Sequence, residues 1–168
     1  MIRPITVDGN IAYVPLTQGY VCKIDANSVP LVDKKNWCSV VKRRSDGSVR
    51  AVYAASSING RLVFMHNVLM KPPPKMIVDH IDCDGLNNTF SNMRFATTKE
   101  NTRNSRTPCH STTGVKGVHF RKNDKRWQAH IRVDGKRIHL GMFGSLEDAK
   151  KKYEEASKKL FGDFARTL

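Results

Sequence analysis

The chain is 168 residues long, 39% hydrophobic and 26% charged, which fits a folded globular protein and excludes a disordered one. Its 29 Lys and Arg against 15 Asp and Glu leave a net charge of +14, which favours a polyanionic partner because neutralised phosphates release their condensed counterions. No apolar stretch is long enough to span a membrane, MIRPITVDGN lacks the apolar run of a secretion signal, and Cys22, Cys38, Cys83 and Cys109 form no C-x-x-C pair, so membrane, secreted-disulfide and paired-cysteine zinc classes fall away.

A cytoplasmic protein with reduced thiols is expected. The charge is not confined to a tail. Residues 1–110 hold 15 basic and 8 acidic side chains and residues 111–168 hold 14 and 7, so each part is +7.

In chain order, the first third reads as strands. GYVCKID, NWCSVVKR and SVRAVYAA are rich in β-branched and aromatic residues and are broken by turn signals at Asn27-Ser28 and Asp46-Gly47. RLVFMHNVLM begins as a strand or a short buried helix, and periodicity does not decide between them. The run Lys71-Pro72-Pro73-Pro74-Lys75 stops any helix and makes a rigid, extended approach to the next segment.

That segment, VDHIDCDGLNN from Val78 to Asn88, is too polar for a core. Thr97-Thr98-Lys99-Glu100 then has the form of a capping box, so a helix is expected to start near Thr97 and carry Asn101 and Asn104. A hairpin followed by that helix would bring Asp79 and Asn101 together, and a carboxylate with an amide oxygen makes a hard ligand set for a Mg2+-like or Mn2+-like ion. His80 has a side chain that exchanges protons near neutrality and is a candidate to take one from water. Asp82 and Asp84 read as solvated turn carboxylates, Asn87 and Asn88 as loop-locking residues, and Cys83 as a turn position suited to glycine. His66 and Arg94 are candidate supports of the site; Arg94 reads either as a phosphate contact or as a surface ion pair.

The order His80, Asn92, Asn101, the V-D-H-I-D opening and the N-N-x-x-x-N-M-R-F middle resemble the HNH nucleases, closest to the H-N-N variant of phage homing endonucleases. The resemblance runs from about Gly19 through Asn104 and includes NWCSV and MHNVLM. It implies a ββα-metal hairpin-plus-helix fold in which His80 is the general base. Asp79 and Asn101 would hold one divalent cation per site, and Asn92 would hydrogen-bond across the loop. Asn101 stands where many of these enzymes have His, which favours Mg2+ or Mn2+ over zinc or nickel.

The polar segment NSRTPCHSTTG reads as a linker. VKGVHFRK, RWQAHIRV and KRIHLGMF then alternate as three strands with hairpin signals at Asn123-Asp124 and Asp134-Gly135. Ser145 caps a helix with the apolar stripe Leu146, Ala149, Tyr153, Ala156, Leu160. By alternation, Val118, Phe120, Trp127, Ala129, Ile131, Ile138 and Leu140 should pack on that helix. His119, Arg121, Gln128, His130, Arg132, Arg137 and His139 form the opposite, acid-free face, suited to a DNA major groove. G-V-K-G-V-H-F, R-W-Q-A-H-I, I-H-L-G-M-F and L-F-G-D-F-A resemble the Apetala2/ethylene-response DNA-binding domain over about residues 113–166. That family binds duplex DNA through its sheet.

The expectation is an α+β chain: a β-rich N-terminal part leads into a ββα-metal nuclease module, and a three-stranded antiparallel sheet packed on one helix completes it. Residues 1–104 would be the HNH domain, with its core at about 62–104, residues 105–112 a linker, and residues 113–168 the Apetala2-like domain. The expected function is a homing or mobile-element type endonuclease acting on double-stranded DNA. One metal site per chain makes a single-strand nick the simplest product, and monomer and homodimer both stay open. The rival is a non-catalytic DNA-binding regulator, against which the intact Asp79, His80 and Asn101 argue. The absence of an exposed aromatic pair on the polar sheet face counts against a single-stranded RNA partner.

Overall fold

The computed structural model describes residues 2–105 and 113–165. Most of the expected linker at 105–112, with Cys109, lies outside the described residues. The protein is mixed α+β with mostly strand content, and it divides into two compact units, Met1–Thr98 and Lys99–Leu168. Among the described residues no helix is long and apolar enough to cross a membrane, and Cys22, Cys38 and Cys83 are in no disulfide.

The first unit opens with β1 (Thr6–Asp8), β2 (Ile11–Pro15) and β3 (Val21–Asp25), an antiparallel meander. Alternation decides its faces: Ala12, Val14, Cys22 and Ile24 are buried while Val21 and Lys23 point out. A short helix α1 (Val29–Val32), with Pro30 in its first turn, leads to Trp37. The indole is 1% exposed and donates from Nε1 to the Val32 carbonyl at 2.9 Å, so a large apolar ring is buried with its one polar atom satisfied.

Strands β4 (Cys38–Arg43), β5 (Val49–Ile58) and β6 (Arg61–Phe64) form a second antiparallel sheet. RLVFMHNVLM resolves into both alternatives: Arg61–Phe64 is strand β6 and Met65–Met70 is helix α2. Lys71 ends α2 in the left-handed conformation (φ 49°), its N–H bonded to the Asn67 carbonyl at 3.0 Å, and the prolines come next. Strand β7 (Ile77–His80) then pairs antiparallel with β9 (Met93–Ala96). Between them, β8 (Asn87–Asn88) joins β3 in parallel, completing a sheet in the order β1-β2-β3-β8.

The second unit begins with most of helix α3 (Thr98–Asn104). The helix C-terminus presents carbonyls with no partner inside the helix. Lys116 collects them: its Nζ donates to the carbonyls of Thr102 at 3.2 Å and Arg103 at 3.1 Å. The Arg103 guanidinium lies 4.6 Å from the centre of the Phe161 ring, a cation–π contact.

Strands β10 (Val118–Arg121), β11 (Arg126–Val133) and β12 (Lys136–Phe143) form the three-stranded antiparallel sheet, and α4 (Leu146–Phe161) packs mainly on β11. Asp134 and Gly135 both have positive φ, 47° and 82°, as a tight hairpin turn requires. The Ser145 hydroxyl caps α4 by accepting from the Asp148 N–H at 3.1 Å. At Gly117 (φ 72°) a Cβ would run into the His130 carbonyl oxygen and the Tyr153 ring, so only glycine lets this loop lie between β11 and α4.

Three expected core residues are exposed. Phe120 and Ile138 are 44% and 42% exposed because β10 and β12 are the outer strands and one helix covers chiefly the central one. Leu160 is 43% exposed, and Phe161 packs on the cluster in its place.

Candidate functional site

Strand β7 ends in Asp79-His80, and its ladder with β9 sets Asp79 opposite Arg94 and His80 opposite Met93. Neither polar side chain is at the surface: Asp79 is 3% and His80 6% exposed. Charged or polar groups at that depth need partners built for them. For Asp79 the partner is Arg94, whose Nε and Nη2 lie 2.9 and 2.8 Å from Oδ2. With 17% of its side chain exposed, Arg94 is a half-buried partner of Asp79 rather than half of a surface ion pair.

Two rings close over His80. His66, from α2, meets it edge to face at 5.2 Å between centroids and stacks on Phe64 at 5.4 Å with a 5° interplanar angle. Tyr53 from β5 lies 6.2 Å away, tilted. Burial, aided by the nearby His80, pushes the His66 pKa down from 6.5 to about 4, so it is neutral at pH 7. Its buried Nδ1 has no hydrogen-bond partner among the described residues, so His66 supports His80 through ring contact.

The loop from Ile81 to Asn92 is knotted by its own side chains. Asn92 donates from Nδ2 to Asp82 Oδ1 at 2.9 Å and to the Asn87 carbonyl at 2.8 Å, and its Oδ1 accepts from the Asp82 N–H at 3.1 Å. Asp82 also accepts from the Asp84 N–H at 2.8 Å and from Asn87 Nδ2 at 2.8 Å. Partial burial alone would raise its pKa. The hydrogen bonds from Asp84, Asn87 and Asn92, with His80 nearby, outweigh that and hold it below the usual carboxylate range. Asp82, an exposed turn carboxylate, is therefore also the hub of the turn. Cys83 adopts φ 61°, a left-handed position that glycine fills most easily. At Gly85 an added Cβ would strike the Tyr53 ring and the Val52 carbonyl, so the glycine lets the loop press against β5.

Asn88 holds the loop and also makes contacts that the sequence does not announce. It is completely buried, and its Oδ1 lies 2.9 Å from His80 Nε2. Its Nδ2 faces the Cys22 sulfur at 2.8 Å and the Gly85 carbonyl at 3.4 Å. Cys22 is 66 positions away in sequence, and only the parallel pairing of β8 with β3 brings it there. Asn101 lies half-buried on α3, in the second unit. Among the described residues no three His, Cys, Asp or Glu side chains gather as a metal-ligand cluster.

The second unit presents the other candidate surface. The ladders pair His119 with Gln128, His130 with His139 and Arg132 with Arg137, so these residues share one face with Arg121. Side chains are linked across it: Arg137 Nη2 lies 3.1 Å from His130 Nδ1, and Gln128 Nε2 lies 3.1 Å from His139 Nδ1. His119 and His130 meet ring to ring at 5.4 Å. His130 is pushed below the usual histidine range, first by partial burial and then by Arg137, His119, Arg132 and His139. Neutral, its Nδ1 accepts from Arg137. Arg121 also pairs with Asp124 in the adjoining turn at 2.9 Å.

Two further residues belong to this face. Arg126 lies opposite Arg121, and Met142 lies opposite Gln128 because a bulge at Ala129/His130 makes Leu140 the extra residue of β12. Strict alternation would have put Phe143 there; the bulge returns Phe143 to the Trp127 side.

The HNH endonuclease family model matches residues 71–103 and the AP2 domain family model residues 113–163. Protein 3.8 of Escherichia phage T7 is 35% identical over 96 residues, 56% of this chain and 78% of that protein. An uncharacterised HNH endonuclease of Acanthamoeba polyphaga mimivirus is 31% identical over 105 residues, 62% of this chain and 54% of its own length. An ethylene-responsive transcription factor-like protein of Arabidopsis thaliana is 30% identical over 81 residues, 47% of this chain and 35% of its own length. The chain thus spans about half of the mimivirus protein and about a third of the plant one. No solved structure matches it.

Proposed function

The chain belongs to the HNH endonucleases, in a form that also carries an AP2 domain, and from that premise we propose that it hydrolyses phosphodiester bonds in duplex DNA, one strand at a time. The observation that carries this reading is His80: a buried imidazole in the matched segment, held by Asn88 and set beside the Asp79–Arg94 pair. The nuclease function is assigned to residues 1–104, with its ββα core at about 62–104, and DNA positioning to residues 113–168; residues 105–112 join them.

His80 is the general base. Oδ1 of Asn88 can only accept, so Nε2 carries the hydrogen and Nδ1 is the basic nitrogen that takes a proton from water. Asn92 keeps the loop after β7 in one shape through its contacts with Asp82 and the Asn87 carbonyl. Asp79 and Asn101 would hold one Mg2+ or Mn2+. Each residue offers a hard oxygen of the kind such an ion takes, and an ion with few protein ligands keeps several waters, as Mg2+ does. Bound there, the ion would supply positive charge to the phosphate as negative charge develops on it. Arg94 already balances the Asp79 carboxylate, so the pocket tolerates that charge at 3% exposure without the ion. The basic sheet face of β10–β12 binds the duplex, with Arg121, Arg132 and Arg137 as its fixed positive charges and Gln128, His119, His130 and His139 as hydrogen-bonding groups.

Incubating supercoiled plasmid with the protein in Mg2+, in Mn2+ and in EDTA tests this reading. Relaxed circles in either metal, and none in EDTA, are expected. Duplex bound but intact under every condition would leave a non-catalytic DNA-binding regulator.

A further inference from the structure

We infer that Asn88, braced by the buried thiol of Cys22, is a positioning residue that fixes His80 in its Nε2-protonated tautomer, so that the chemistry on β7 depends on strand β3. The inference rests on reading His80 as the base.

A fully buried amide must satisfy both of its ends. Asn88 and Cys22 are both 0% exposed, and His80 is 6% exposed. The orientation of the Asn88 amide is fixed by its surroundings. The Gly85 carbonyl, 3.4 Å from Nδ2, can only accept, so the NH2 end points there and at the Cys22 sulfur, 2.8 Å away. The carbonyl end is left for His80 Nε2 at 2.9 Å, which must then be the donor. A turned-over amide would set two acceptors, Oδ1 and the Gly85 oxygen, against each other. Cys22 suits its part: burial, only partly opposed by the Asn88 contact, raises its pKa to about 12, so it stays a thiol. It keeps a lone pair for the amide while its S–H faces Met65 Sδ at 3.5 Å.

The backbone holds this arrangement on both sides. β8 pairs with β3 at Lys23↔Asn87 and Ile24↔Asn88, and the Lys23 N–H donates to the Leu86 carbonyl at 2.8 Å. Just beyond, the Phe90 N–H donates to Asp25 Oδ2 at 2.7 Å. The loop between β7 and β9 is therefore fastened to β3 before and after Asn88. A side chain that only filled space would not need its amide aligned with an imidazole nitrogen and a sulfur at once.

Two measurements on the full chain test this: single-turnover cleavage of duplex DNA, and the 15N imidazole shifts of His80 at roughly pH 8.5, where ordinary histidines are neutral. Asn88→Ala and Cys22→Ala should each lower the single-turnover rate constant, roughly 10- to 100-fold as for other orienting partners, with the half-saturating concentration unchanged. They should also turn the His80 signals from one tautomer into a mixture. Cys22→Ser keeps an acceptor of the same placement and should regain most of what Cys22→Ala loses, in rate and in tautomer. Unchanged Nε2–H signals in Asn88→Ala, or a Cys22→Ser variant as impaired as Cys22→Ala, would overturn the inference. If Asn88→Ala does not fold, the Cys22 pair decides alone. His80→Ala that still cleaves would instead refute the base itself, and the tautomer measurement on the other variants would still judge the positioning role.

Discussion

The two candidate surfaces solve opposite problems. Around β7, Asp79, His80 and Asn92 are buried and each has its contact: Asp79 with Arg94, His80 with Asn88, Asn92 with Asp82. On the β10–β12 face, side chains are exposed or half-buried, cationic or donor-rich, and linked by single contacts such as Arg137–His130 across strands and Arg121–Asp124 in the turn. Chemistry gains from groups fixed and desolvated before the substrate arrives. A polyanion is instead gripped by cations that have not spent their charge on the protein. Substitutions should accordingly be felt in rate or folding around β7, and in affinity on the sheet face.

His80→Ala puts this division of labour under the greatest strain. Loss of a general base lowers the rate by on the order of 10²–10⁴-fold, and duplex affinity in a gel-shift titration should stay close to wild type. Cleavage at the wild-type rate would remove His80 from the chemistry. A parallel loss of binding would mean that the two surfaces do not divide the work.

Next is Asp79→Ala, which should act on folding as well as on rate. Removing one member of a buried ion pair leaves the other charge desolvated, at a cost of about 3 kcal/mol. Arg94 is 17% exposed and can turn partly to water, which argues for the lower end of the range. Urea unfolding followed by circular dichroism would measure it. A change under about 0.5 kcal/mol would show that the pair behaves like one on the surface.

What could be read from the sequence depends on the range of the interactions. The hairpin knot spans ten positions, Asp82 to Asn92, and short-range spacing announces it. The Cys22–Asn88 contact spans 66 positions and depends on a two-residue parallel pairing, which no local pattern encodes. Asn88 therefore read as a loop lock, although it touches the imidazole. In the second unit, alternation gathered the face correctly up to His139, since hairpin register is set by turns such as Asp134-Gly135. Past His139 the bulge shifts the phase, and alternation alone could not have found Met142. RLVFMHNVLM was ambiguous because a strand and a helix share it.

His66 offers a smaller effect, again in the first unit. Its pKa falls from 6.5 in the unfolded chain to about 4 when folded, so the native state binds fewer protons between those values. The stability tied to neutral His66 is present above pH 6.5, drains away as pH falls toward 4 and is gone below that, a change of up to about 3 kcal/mol. His66→Phe cannot take up a proton and keeps a ring on Phe64, so its acid unfolding midpoint should lie lower than the wild type's. An unchanged midpoint would show that acid unfolding is set elsewhere.

The smallest effect belongs to the exposed face and has the opposite sign. His130 is held below the ordinary histidine range by partial burial and by Arg137, His119, Arg132 and His139, so it gains its proton only on the acid side. That proton turns Nδ1 from an acceptor into a donor, releases the Arg137 contact and adds a charge to the sheet face. Duplex affinity should therefore rise as pH falls, by about three- to tenfold, with a salt slope steeper by about one phosphate contact. His130→Gln retains an acceptor for Arg137 but never becomes charged, and it should flatten the acid limb of the profile. Fluorescence anisotropy of a labelled duplex at several salt concentrations would measure both. If the acid limb survived in His130→Gln, the charge that strengthens binding would come from another group on the face, and the Arg137–His130 link would have no part in the pH response.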